Sequence, residues 1–355
     1  MKSAKSDRAP NTRLRVGVAG ASGYVGFELL RLIRQHPHLD LTVVAAGRAA
    51  GSAVQESWPA LTGLAEASLV MQTVDVDAFA DRCDAVFLAL PHGVSAPVAA
   101  GLLGRGVTVV DLGADFRLKD PATYERYYGA PHPHPELLEQ AVYGLVEFNR
   151  EALVGATLIA NPGCYPTAVA LAARPLVDAG WCDGWLVADC LSGVSGAGRN
   201  PTSSNMFCTA GESARAYGVG GQHRHTPEIE QTLGVQVTFN PHLVPMSRGM
   251  VATVHIRLDA ERIEGMTLSG VRGAFDRYAE ETMVVLRDDV PSTADVRGTN
   301  RAHIHVALDR ERRVITAVCV IDNLVKGAAG QAVQALNVAK GFDEISGLPR
   351  FPLLP

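Results

Sequence analysis

A glycine turn between a strand and a helix constrains this chain more than any other feature of its sequence. Gly20, Gly23 and Gly26 follow the apolar run Leu14–Ala19 and precede a helical pattern at 27–35. Glycine at this spacing lets the backbone approach a pyrophosphate, whose charge is favoured by the exposed N–H groups and dipole of a helix N-terminus. The turn predicts a dinucleotide site, with an ordinary tight turn as the alternative.

Strands and helices alternate through the first half of the chain. Apolar runs at 41–46, 85–90 and 107–112 predict further strands, and 94–103 predicts the helix between the last two. Strands that alternate with helices form parallel, doubly wound sheets. We therefore predict a Rossmann-type α/β domain here.

After about residue 160 the pattern changes, and several runs alternate in polarity. The expected elements are strands at 235–239, 250–258, 302–308 and Val314–Ile321, with helices at 227–233 and 271–281. This pattern is typical of a mixed or antiparallel sheet in an α+β domain.

The last predicted helix, at 328–339, is expected to return to the first domain. We therefore divide the chain into two domains. The dinucleotide-binding domain takes 1–162 and 324–355. The catalytic domain, which also binds substrate and forms the oligomer, takes 163–323.

The composition narrows the possible partners. The 355 residues carry 32 Lys plus Arg against 37 Asp plus Glu, a net charge of −5. This balance argues against a nucleic-acid binder.

No apolar stretch reaches the roughly 18–20 residues of a membrane span, and the polar start at 1–12 lacks the apolar core of a signal peptide. Six cysteines without a CxxC pair are expected to be reduced thiols of a cytoplasmic protein.

The residues after the second predicted strand indicate which dinucleotide is bound. An NAD site usually has an acid there for the ribose 2′-hydroxyl, but this chain has Gly47 and Arg48 and no acid before Glu56. A guanidinium can instead pair with a 2′-phosphate. Arg48 therefore favours NADP, and a solvated surface arginine is the alternative.

A cysteine in a Pro-Gly-Cys turn is the candidate nucleophile. The segment 161–168 reads NPGCYPTA and leads into an apolar run. Pro166 suits the first turn of a helix, which would leave Cys164 just ahead of the N-terminus, where N–H groups and the dipole favour the thiolate. A thiolate attacks acyl groups. A buried structural cysteine is the alternative.

Two histidines at a predicted helix entry offer a proton carrier. His223 and His225 lie in the segment GGQHRHTPEI, where Thr226 is the expected N-cap and Pro227 the first helical residue. Alternation in an extended segment would place both imidazoles on one side. Zinc is disfavoured because no further Cys or His lies at ligand spacing nearby, so we predict no metal.

Two further segments are chemically dense. The loop 192–199, SGVSGAGR, is rich in donors and suits an anionic group or a cofactor, with a plain interdomain loop as the alternative. The segment 111–117, DLGADFR, closes a strand at the edge where α/β sheets bind ligands. Arg117 is a candidate clamp for a carboxylate or phosphate, and a structural contact with Asp115 is the alternative.

Taken in order, the motifs resemble those of one family, the N-acetyl-gamma-glutamyl-phosphate reductases of arginine biosynthesis. The resemblance runs from about residue 13 to the C-terminus. It is carried by GASGYVG (20–26), ADFRL (114–118), NPGCYPTA (161–168), SGVSGAGR (192–199), HRHTPEIEQ (223–231), NPHLVPMSRG (240–249) and DNLVKGAAGQAVQ (322–334). Aspartate-semialdehyde dehydrogenase is a relative with the same two-domain plan.

The resemblance implies NADPH-dependent reduction of an acyl phosphate to a semialdehyde through a cysteine thioester. By motif, the catalytic cysteine is Cys164, and the proton carrier lies in the His-Arg-His element, where we assign it to His223. Substrate contacts are expected at Arg117, Arg199, His225 and Glu228. Cofactor contacts are expected at Gly20, Ser22, Gly23, Tyr24, Val25, Gly26, Arg48, Ser195, Gly196, Asn323 and Lys326.

Alternative functions stay open at this point. A reductase of the one-carbon-longer aminoadipyl phosphate, in lysine biosynthesis, needs the same thiol and imidazole, and aspartate-semialdehyde dehydrogenase shares the plan. A non-catalytic NADP-binding sensor could keep the fold. We expect a small-molecule acyl phosphate as substrate, no nucleic-acid or membrane partner, and a homo-oligomer, either a dimer or a tetramer.

Overall fold

The first half of the chain forms a parallel sheet. A computed structural model describes residues 13–354, so the polar start at 1–12 lies outside the described residues. The first six strands are β1 Leu14–Ala19, β2 Leu39–Ala45, β3 Ala85–Leu88, β4 Thr108–Asp111, β5 Val142–Tyr143 and β6 Leu158–Ala160. All their pairings are parallel, in the order β2-β1-β3-β4-β6-β5.

The strand order places the glycine turn at a natural binding position. The chain runs from β1 outward to β2 and then returns to the other side of β1 as β3. In α/β sheets a crevice opens at the carboxyl ends of the strands where the order reverses. Gly20 follows β1 at that point, and a Cβ on it would collide with the carbonyl oxygen of Ala89, which follows β3.

Helices cover both faces of this sheet. They are α1 Tyr24–Gln35, α2 Val54–Ser57, α3 Val76–Arg82, α4 Ser95–Leu103, α5 Pro121–Tyr128 and α6 Val146–Leu153. Leu29, Leu32 and Ile33 of α1 share one stripe of the helix and are buried in the core on one face of the sheet. Phe79 of α3 and Leu102 of α4 are buried in the core on the other face.

The second half forms a seven-stranded mixed sheet backed by a long helix. Its elements are α7 Cys164–Asp178, β7 Trp185–Gly193, α8 Phe207–Ala210, β8 Arg215–Ala216, α9 His225–Leu233, β9 Gln236–Val244, β10 Met250–Arg257, α10 Ala260–Ile263, α11 Leu268–Gly273, β11 Val284–Leu286, β12 Ala302–Asp309 and β13 Val314–Ile321. The strand order is β11-β12-β13-β10-β7-β9-β8. The predicted fold class, a Rossmann-type sheet with a second α+β unit, is confirmed.

Several element limits differ from those expected from the sequence. The helix expected at 271–281 begins earlier but ends at Gly273, and a 3₁₀ turn follows, because glycine is a poor helix former. The strand expected at 235–239 continues through Pro241 to Val244. The Pro241 carbonyl accepts the N–H of Tyr217 on the edge side of the strand, so the missing proline N–H costs no bond to β7.

The sequence predicts no membrane span and six reduced thiols. Within residues 13–354, no helix combines the length and apolar character needed to cross a bilayer. All six cysteines are free thiols.

The last helical segment packs against the first sheet. A π-helical turn, Val325–Ala329, leads directly into α12 Gly330–Lys340. Val333 and Leu336 of α12 are buried in the same core as α1. Such π turns are rare and often occur at functional sites. Here the turn brings Gly327 so close to Cys164 that a Cβ on Gly327 would lie 2.7 Å from the Cys164 Cβ.

Lys326, which we expected to contact the cofactor, lies in the protein interior instead. Its side chain is fully buried, and Nζ donates hydrogen bonds to Glu147 at 2.5 Å and to Gln334 at 2.8 Å. Burial alone would raise the pKa of the Glu147 carboxyl, but the Lys326 ammonium outweighs burial and lowers that pKa. This burial gives no support to a cofactor contact by the Lys326 side chain, and the sequence alone does not reveal that Glu147 lies beside this lysine.

Replacing Lys326 with methionine should destabilise the fold. The change leaves the Glu147 carboxylate buried without its counter-charge, and losing one partner of such a pair costs about 3–5 kcal/mol. We expect urea unfolding to show this loss, and the double variant Lys326→Met/Glu147→Gln to recover most of it. Unchanged stability together with a raised KM for the cofactor would restore the original assignment.

Candidate active site

Cys164 lies at the carboxyl edge of the first sheet, where the chain passes to the second. It is the first residue of α7, four residues after β6 ends at Ala160, with Gly163 as the N-cap. We expected Cys164 just ahead of the helix, but Pro166 is the third helical residue and Cys164 lies within the first turn. The side chain is partly exposed.

A buried carboxylate holds the entry of α7 in place. Glu228 of α9 accepts the N–H of Gly163 and the hydroxyl of Tyr143, both at 2.8 Å, through the same oxygen. Its other oxygen lies 3.4 Å from Arg117 Nη1. Glu228 is almost fully buried and lines neither of the cavities described below. The structure therefore gives no support to the expected substrate contact at Glu228, and this carboxylate positions its neighbours.

Arg117 reaches the entry of α7 from the end of the first sheet. Nε donates to the carbonyl oxygen of Asn161 at 2.8 Å, and Nη2 donates to that of Leu112 at 2.9 Å. Both carbonyls follow strands of the first sheet, so the guanidinium is fixed relative to the strand ends. The expected alternative, a contact with Asp115, is absent from the hydrogen bonds and ion pairs found for Arg117 within residues 13–354.

The thiol of Cys164 is protonated at neutral pH in this structure. Burial raises its pKa to about 11, against the opposing effects of the Arg117 charge and the backbone N–H groups of Tyr165 and Cys164. The expectation that the helix N-terminus would yield a thiolate is therefore wrong for the free protein. Desolvation of the sulfur outweighs the dipole and the nearby cation.

His223 and His225 are neighbours beside this thiol. Their ring centroids are 4.9 Å apart, and the His223 ring lies edge-on to Tyr165 at 5.8 Å. The helix begins at His225, one residue before the expected N-cap Thr226. Gly163 has no Cβ, which leaves room for His225, whose Nε2 would otherwise lie 2.6 Å from that Cβ.

Both imidazoles are neutral at physiological pH. Burial lowers the pKa of His223 to about 4, helped by the Arg224 charge, and lowers the pKa of His225 well below its ordinary value. His223 Nδ1 accepts the backbone N–H of His225 at 3.0 Å. The neutral His223 ring therefore carries its proton on Nε2, and Nε2–H is free to donate a hydrogen bond.

Two cavities meet at Cys164. The first, which we call the histidine cavity, has a volume of about 450 Å³ and is lined by residues that include Arg117, Tyr128, Tyr217, His223 and His225. The second, the glycine groove, has a volume of about 300 Å³ and runs past Gly23, Tyr24, Val25, Ser195, Gly196 and Asn323. Their shared lining is Leu112, Arg117, Cys164, Gly196 and His225.

The three glycines of the turn have two different roles. A Cβ on Gly20 or on Gly26 would collide with backbone, so these residues permit the tight packing of the turn. A Cβ on Gly23 would have Gly20 O, at 3.5 Å, as its nearest protein atom and would project into the groove that Gly23 lines. The turn therefore leaves room at the N-terminus of α1 for a pyrophosphate, as a dinucleotide requires.

Residues from the second half of the chain close the other side of the groove. Asn323 donates to Ser195 Oγ at 3.0 Å and accepts the N–H of Gly249 at 2.7 Å, so its amide is fixed. Both Asn323 and Ser195 line the groove, and their expected contact with the cofactor stays a prediction. The carbonyl of Ser22 accepts a hydrogen bond from Arg199 at 2.8 Å.

Arg48 and Arg199 both lie along the glycine-turn side of the protein. Arg48 follows β2 and donates to Asn200 at 2.9 Å, leaving it exposed at the position where a dinucleotide ribose is expected. Arg199 donates to the carbonyls of Ser22 and Ser57 and lies 4.1 Å over the Trp58 ring. Arg199 lines the glycine groove but not the histidine cavity, so the structure gives no support for a substrate contact there.

Sequence reasoning missed several contributors to the site. Tyr143, Trp58 and His92 lie in segments without a recognised motif, and only the fold brings them here. Gly327 could have been found from the sequence, because it lies between Lys326 and a run of small residues. Such a run indicates that the backbone packs closely against another part of the protein.

Within the described part of the chain, one group of acidic side chains is close enough together to hold a metal ion. It consists of Glu147, Glu281 and Glu344. Arg150 bridges Glu281 and Glu344, and Lys326 neutralises Glu147. These cations already occupy the place that a metal would take.

Comparison with known families supports the class that the fold and site define. Residues 15–156 match the family model "Semialdehyde dehydrogenase, NAD binding domain". Residues 164–323 match "Semialdehyde dehydrogenase, dimerisation domain". The chain is thus a two-domain protein of the semialdehyde dehydrogenase class.

Individual relatives show to which family within this class the chain belongs. The chain is 50% identical to N-acetyl-gamma-glutamyl-phosphate reductase of Halorhodospira halophila, covering 96% of this chain and 100% of that protein. It is 44% identical to the reductase of the same name from Neisseria meningitidis, covering 97% and 99%. The chain belongs to the N-acetyl-gamma-glutamyl-phosphate reductase family, and the family predicted from the motifs is confirmed.

Solved structures agree on the fold. Aspartate semialdehyde dehydrogenase II of Vibrio cholerae, complexed with ASA, superimposes with a TM-score of 0.68 at 19% identity, covering 92% of this chain and 98% of that one. The NADP-bound aspartate semialdehyde dehydrogenase of Candida albicans gives 0.67 at 16% identity, covering 93% and 99%.

Alkylation of Cys164 by iodoacetamide should report its raised pKa. Because only the thiolate reacts, a pKa of about 11 leaves roughly one thiol in a thousand reactive at pH 8. We expect the rate to rise about tenfold for each pH unit between 7 and 10. The exposed Cys208 is first replaced by serine, and the Cys164 peptide is followed by mass spectrometry. A plateau below pH 8 would show that the free protein holds a thiolate.

Proposed function

We propose that this protein reduces N-acetyl-L-glutamyl 5-phosphate to N-acetyl-L-glutamate 5-semialdehyde and releases phosphate, a step of arginine biosynthesis. The observation that carries the proposal is the position of Cys164, a single thiol where the histidine cavity and the glycine groove meet. A nucleophile at this junction can hold the substrate on one side and face the cofactor on the other. Family membership supports the choice of substrate.

In the first step, the Cys164 sulfur attacks the acyl carbon and expels phosphate. A bond forms from sulfur to carbon as the carbon–oxygen bond to phosphate breaks, which leaves a thioester. The free thiol is protonated, and its proton departs with the phosphate as hydrogen phosphate. Arg117 and the N–H groups at the start of α7 face the oxygen that gains charge.

His223 holds the sulfur during this exchange. Its Nδ1 accepts the His225 N–H, so Nε2–H can donate a hydrogen bond to the developing thiolate. This hydrogen bond offsets part of the cost of charging a sulfur that the surrounding protein desolvates. His225 packs over Gly163 and against Arg117, with 3.4 Å between its Nε2 and Arg117 Nη1. We therefore assign the hydrogen bond that stabilises the thiolate to His223 and positioning to His225.

In the second step, the thioester becomes an aldehyde. Ser195, Gly196 and Asn323, which line the groove beside Cys164, would hold a nicotinamide cofactor there, and the chemistry such a cofactor would supply is a hydride for the thioester carbon. The resulting thiohemiacetal oxyanion, attached to Cys164, re-forms its carbon–oxygen double bond and expels the sulfur. The thiolate accepts the hydrogen bond from His223 and then takes a proton from solvent, which restores the resting thiol.

The cofactor is proposed to be NADP, held along the glycine groove. Gly20, Gly23 and Gly26 shape the turn, while Ser22, Tyr24 and Val25 belong to its loop and the first turn of α1. Ser195, Gly196 and Asn323 would face the nicotinamide end beside Cys164. Arg48 is the proposed partner of the 2′-phosphate, because its contact with the neutral Asn200 leaves its charge uncompensated.

We further propose a homo-oligomer that works in the cytoplasm. One face of the second sheet packs against α7, whereas alternate residues of β10 and β13, among them Val251 and Val318, are only partly buried. A second copy could cover that face. A reducing compartment keeps Cys164 in the thiol form that the mechanism needs.

A phosphate-dependent assay tests the proposed function directly. The reverse reaction should convert N-acetyl-glutamate semialdehyde, phosphate and NADP to the acyl phosphate and NADPH, followed at 340 nm. Cys164→Ser should lower kcat by at least about 10⁴-fold while NADPH binding, measured by fluorescence, persists. Cys182→Ser, at a partly buried cysteine outside both cavities, is the matched control. Wild-type protein that is inactive with the semialdehyde would reject the proposal.

The Arg48→Ala variant tests the choice of NADP. Loss of a charge-assisted contact with the 2′-phosphate should raise the KM for NADPH about 10- to 100-fold and leave the KM for NADH within about twofold. Arg34→Ala, at an arginine on the outer side of α1, serves as the control. Equal effects on the two cofactors would remove the argument from Arg48.

A further inference from the structure

The histidine cavity carries a charge pattern that the proposed chemistry does not yet use. Among residues 13–354, three arginines line it, Arg117, Arg215 and Arg224, and no aspartate or glutamate does. The charged side chains that line the cavity are therefore all cationic, and the nearest carboxylate, Glu228, lies behind Arg117 and outside the lining. Such a cavity favours a ligand with more than one negative charge.

The three arginines differ in burial and in partners. Arg117 is nearly buried and has the Glu228 carboxylate beside it, so its charge is partly balanced within the protein. Arg215 and Arg224 are both exposed. Among the interactions found for residues 13–354, neither has an acidic partner. Two uncompensated cations therefore remain at the open part of the cavity.

Arg224 is held in place by neutral groups. Its Nη1 lies 2.9 Å from His92 Nδ1, and its guanidinium lies 5.5 Å from the centre of the Tyr128 ring. His92 and Tyr128 belong to the first half of the chain and Arg224 to the second, so this contact crosses the cavity. The contact orients the guanidinium, but neither partner is negatively charged. The positive charge of Arg224 is therefore not neutralised, and the guanidinium can still bind an anion.

Arg215 is fixed by its backbone. It lies in β8, whose two residues pair with Leu243 and His242 of β9. The short strand places Arg215 beside Leu243, which also lines the histidine cavity. Because a strand holds its side chains in defined directions, Arg215 has a set position relative to the cavity even though its side chain is exposed.

The proposed substrate carries negative charge at both ends. Its phosphate is attached to the carbon that Cys164 attacks, so that charge must lie near the sulfur, beside Arg117. Its carboxylate is at the opposite end of the carbon chain. The cavity offers one buried arginine, Arg117, and two exposed arginines, so it can supply a cation for each charged end of the substrate.

We propose that Arg215 and Arg224 form the subsite for the substrate carboxylate, and that this subsite selects acyl phosphates derived from amino acids. The inference rests on the proposed function. Neither arginine lines the glycine groove, so the cofactor phosphates do not compete for them. This assignment replaces Arg199, which faces the glycine turn.

A substrate that lacks only the carboxylate isolates this contact. In the reverse assay, 4-acetamidobutanal has a hydrogen where N-acetyl-glutamate semialdehyde has its carboxylate. Arg215→Ala and Arg224→Ala should each lower kcat/KM for the semialdehyde about 10- to 100-fold and leave kcat/KM for the analogue within about twofold. The KM for phosphate and for NADP should not change. Arg224→Lys, which keeps the charge, should recover part of the loss.

Other outcomes have separate meanings. A raised KM for phosphate in either variant would show that these arginines bind the phosphate, and equal losses with both aldehydes would show a structural effect; either result overturns the subsite. Arg312→Ala, at an exposed arginine beside β13, should behave as wild type. Wild-type protein that cannot use the semialdehyde would instead reject the proposed function.

Discussion

The buried carboxylate of Glu228 is the contact on which the site depends. It accepts the N–H of Gly163 and the hydroxyl of Tyr143, and it faces the guanidinium of Arg117. Gly163 precedes α7, Tyr143 belongs to β5, and Arg117 lies in the loop after β4. Glu228 itself lies on α9, shortly after the two histidines in the sequence. One carboxylate thereby fixes the thiol, the arginine and the imidazoles relative to each other, which catalysis by positioning requires.

Burial controls the chemistry of the thiol. The same desolvation that raises the pKa of Cys164 to about 11 keeps both imidazoles neutral. A protonated resting thiol is compatible with an acyl phosphate, because the departing phosphate can take the proton. The free protein thus keeps its nucleophile in an unreactive form until a substrate arrives, and an uncharged His223 is ready to donate to the sulfur.

The sequence predicted the parts of the site that depend on local chain geometry. The glycine spacing after a strand led to the dinucleotide turn, and the Pro-Gly-Cys turn led to Cys164. Predictions found no support in the structure where distant contacts decide the surroundings of a side chain. Lys326 and Glu228 are polar residues in motifs, yet both are buried against partners far away in the chain. The prediction that Cys164 is a thiolate was wrong for the same reason. The desolvation of its sulfur depends on the whole fold and not only on the helix to which it belongs.

The central claim is that Cys164 becomes covalently acylated between the two cavities. Mixing the protein with N-acetyl-glutamyl phosphate in the absence of NADPH should halt the cycle at the thioester. Rapid acid quench, digestion and mass spectrometry should then find an N-acetyl-glutamyl adduct on the Cys164 peptide, which disappears when NADPH is added before the quench. Release of phosphate with no adduct on Cys164, or an adduct on another cysteine, would contradict the account.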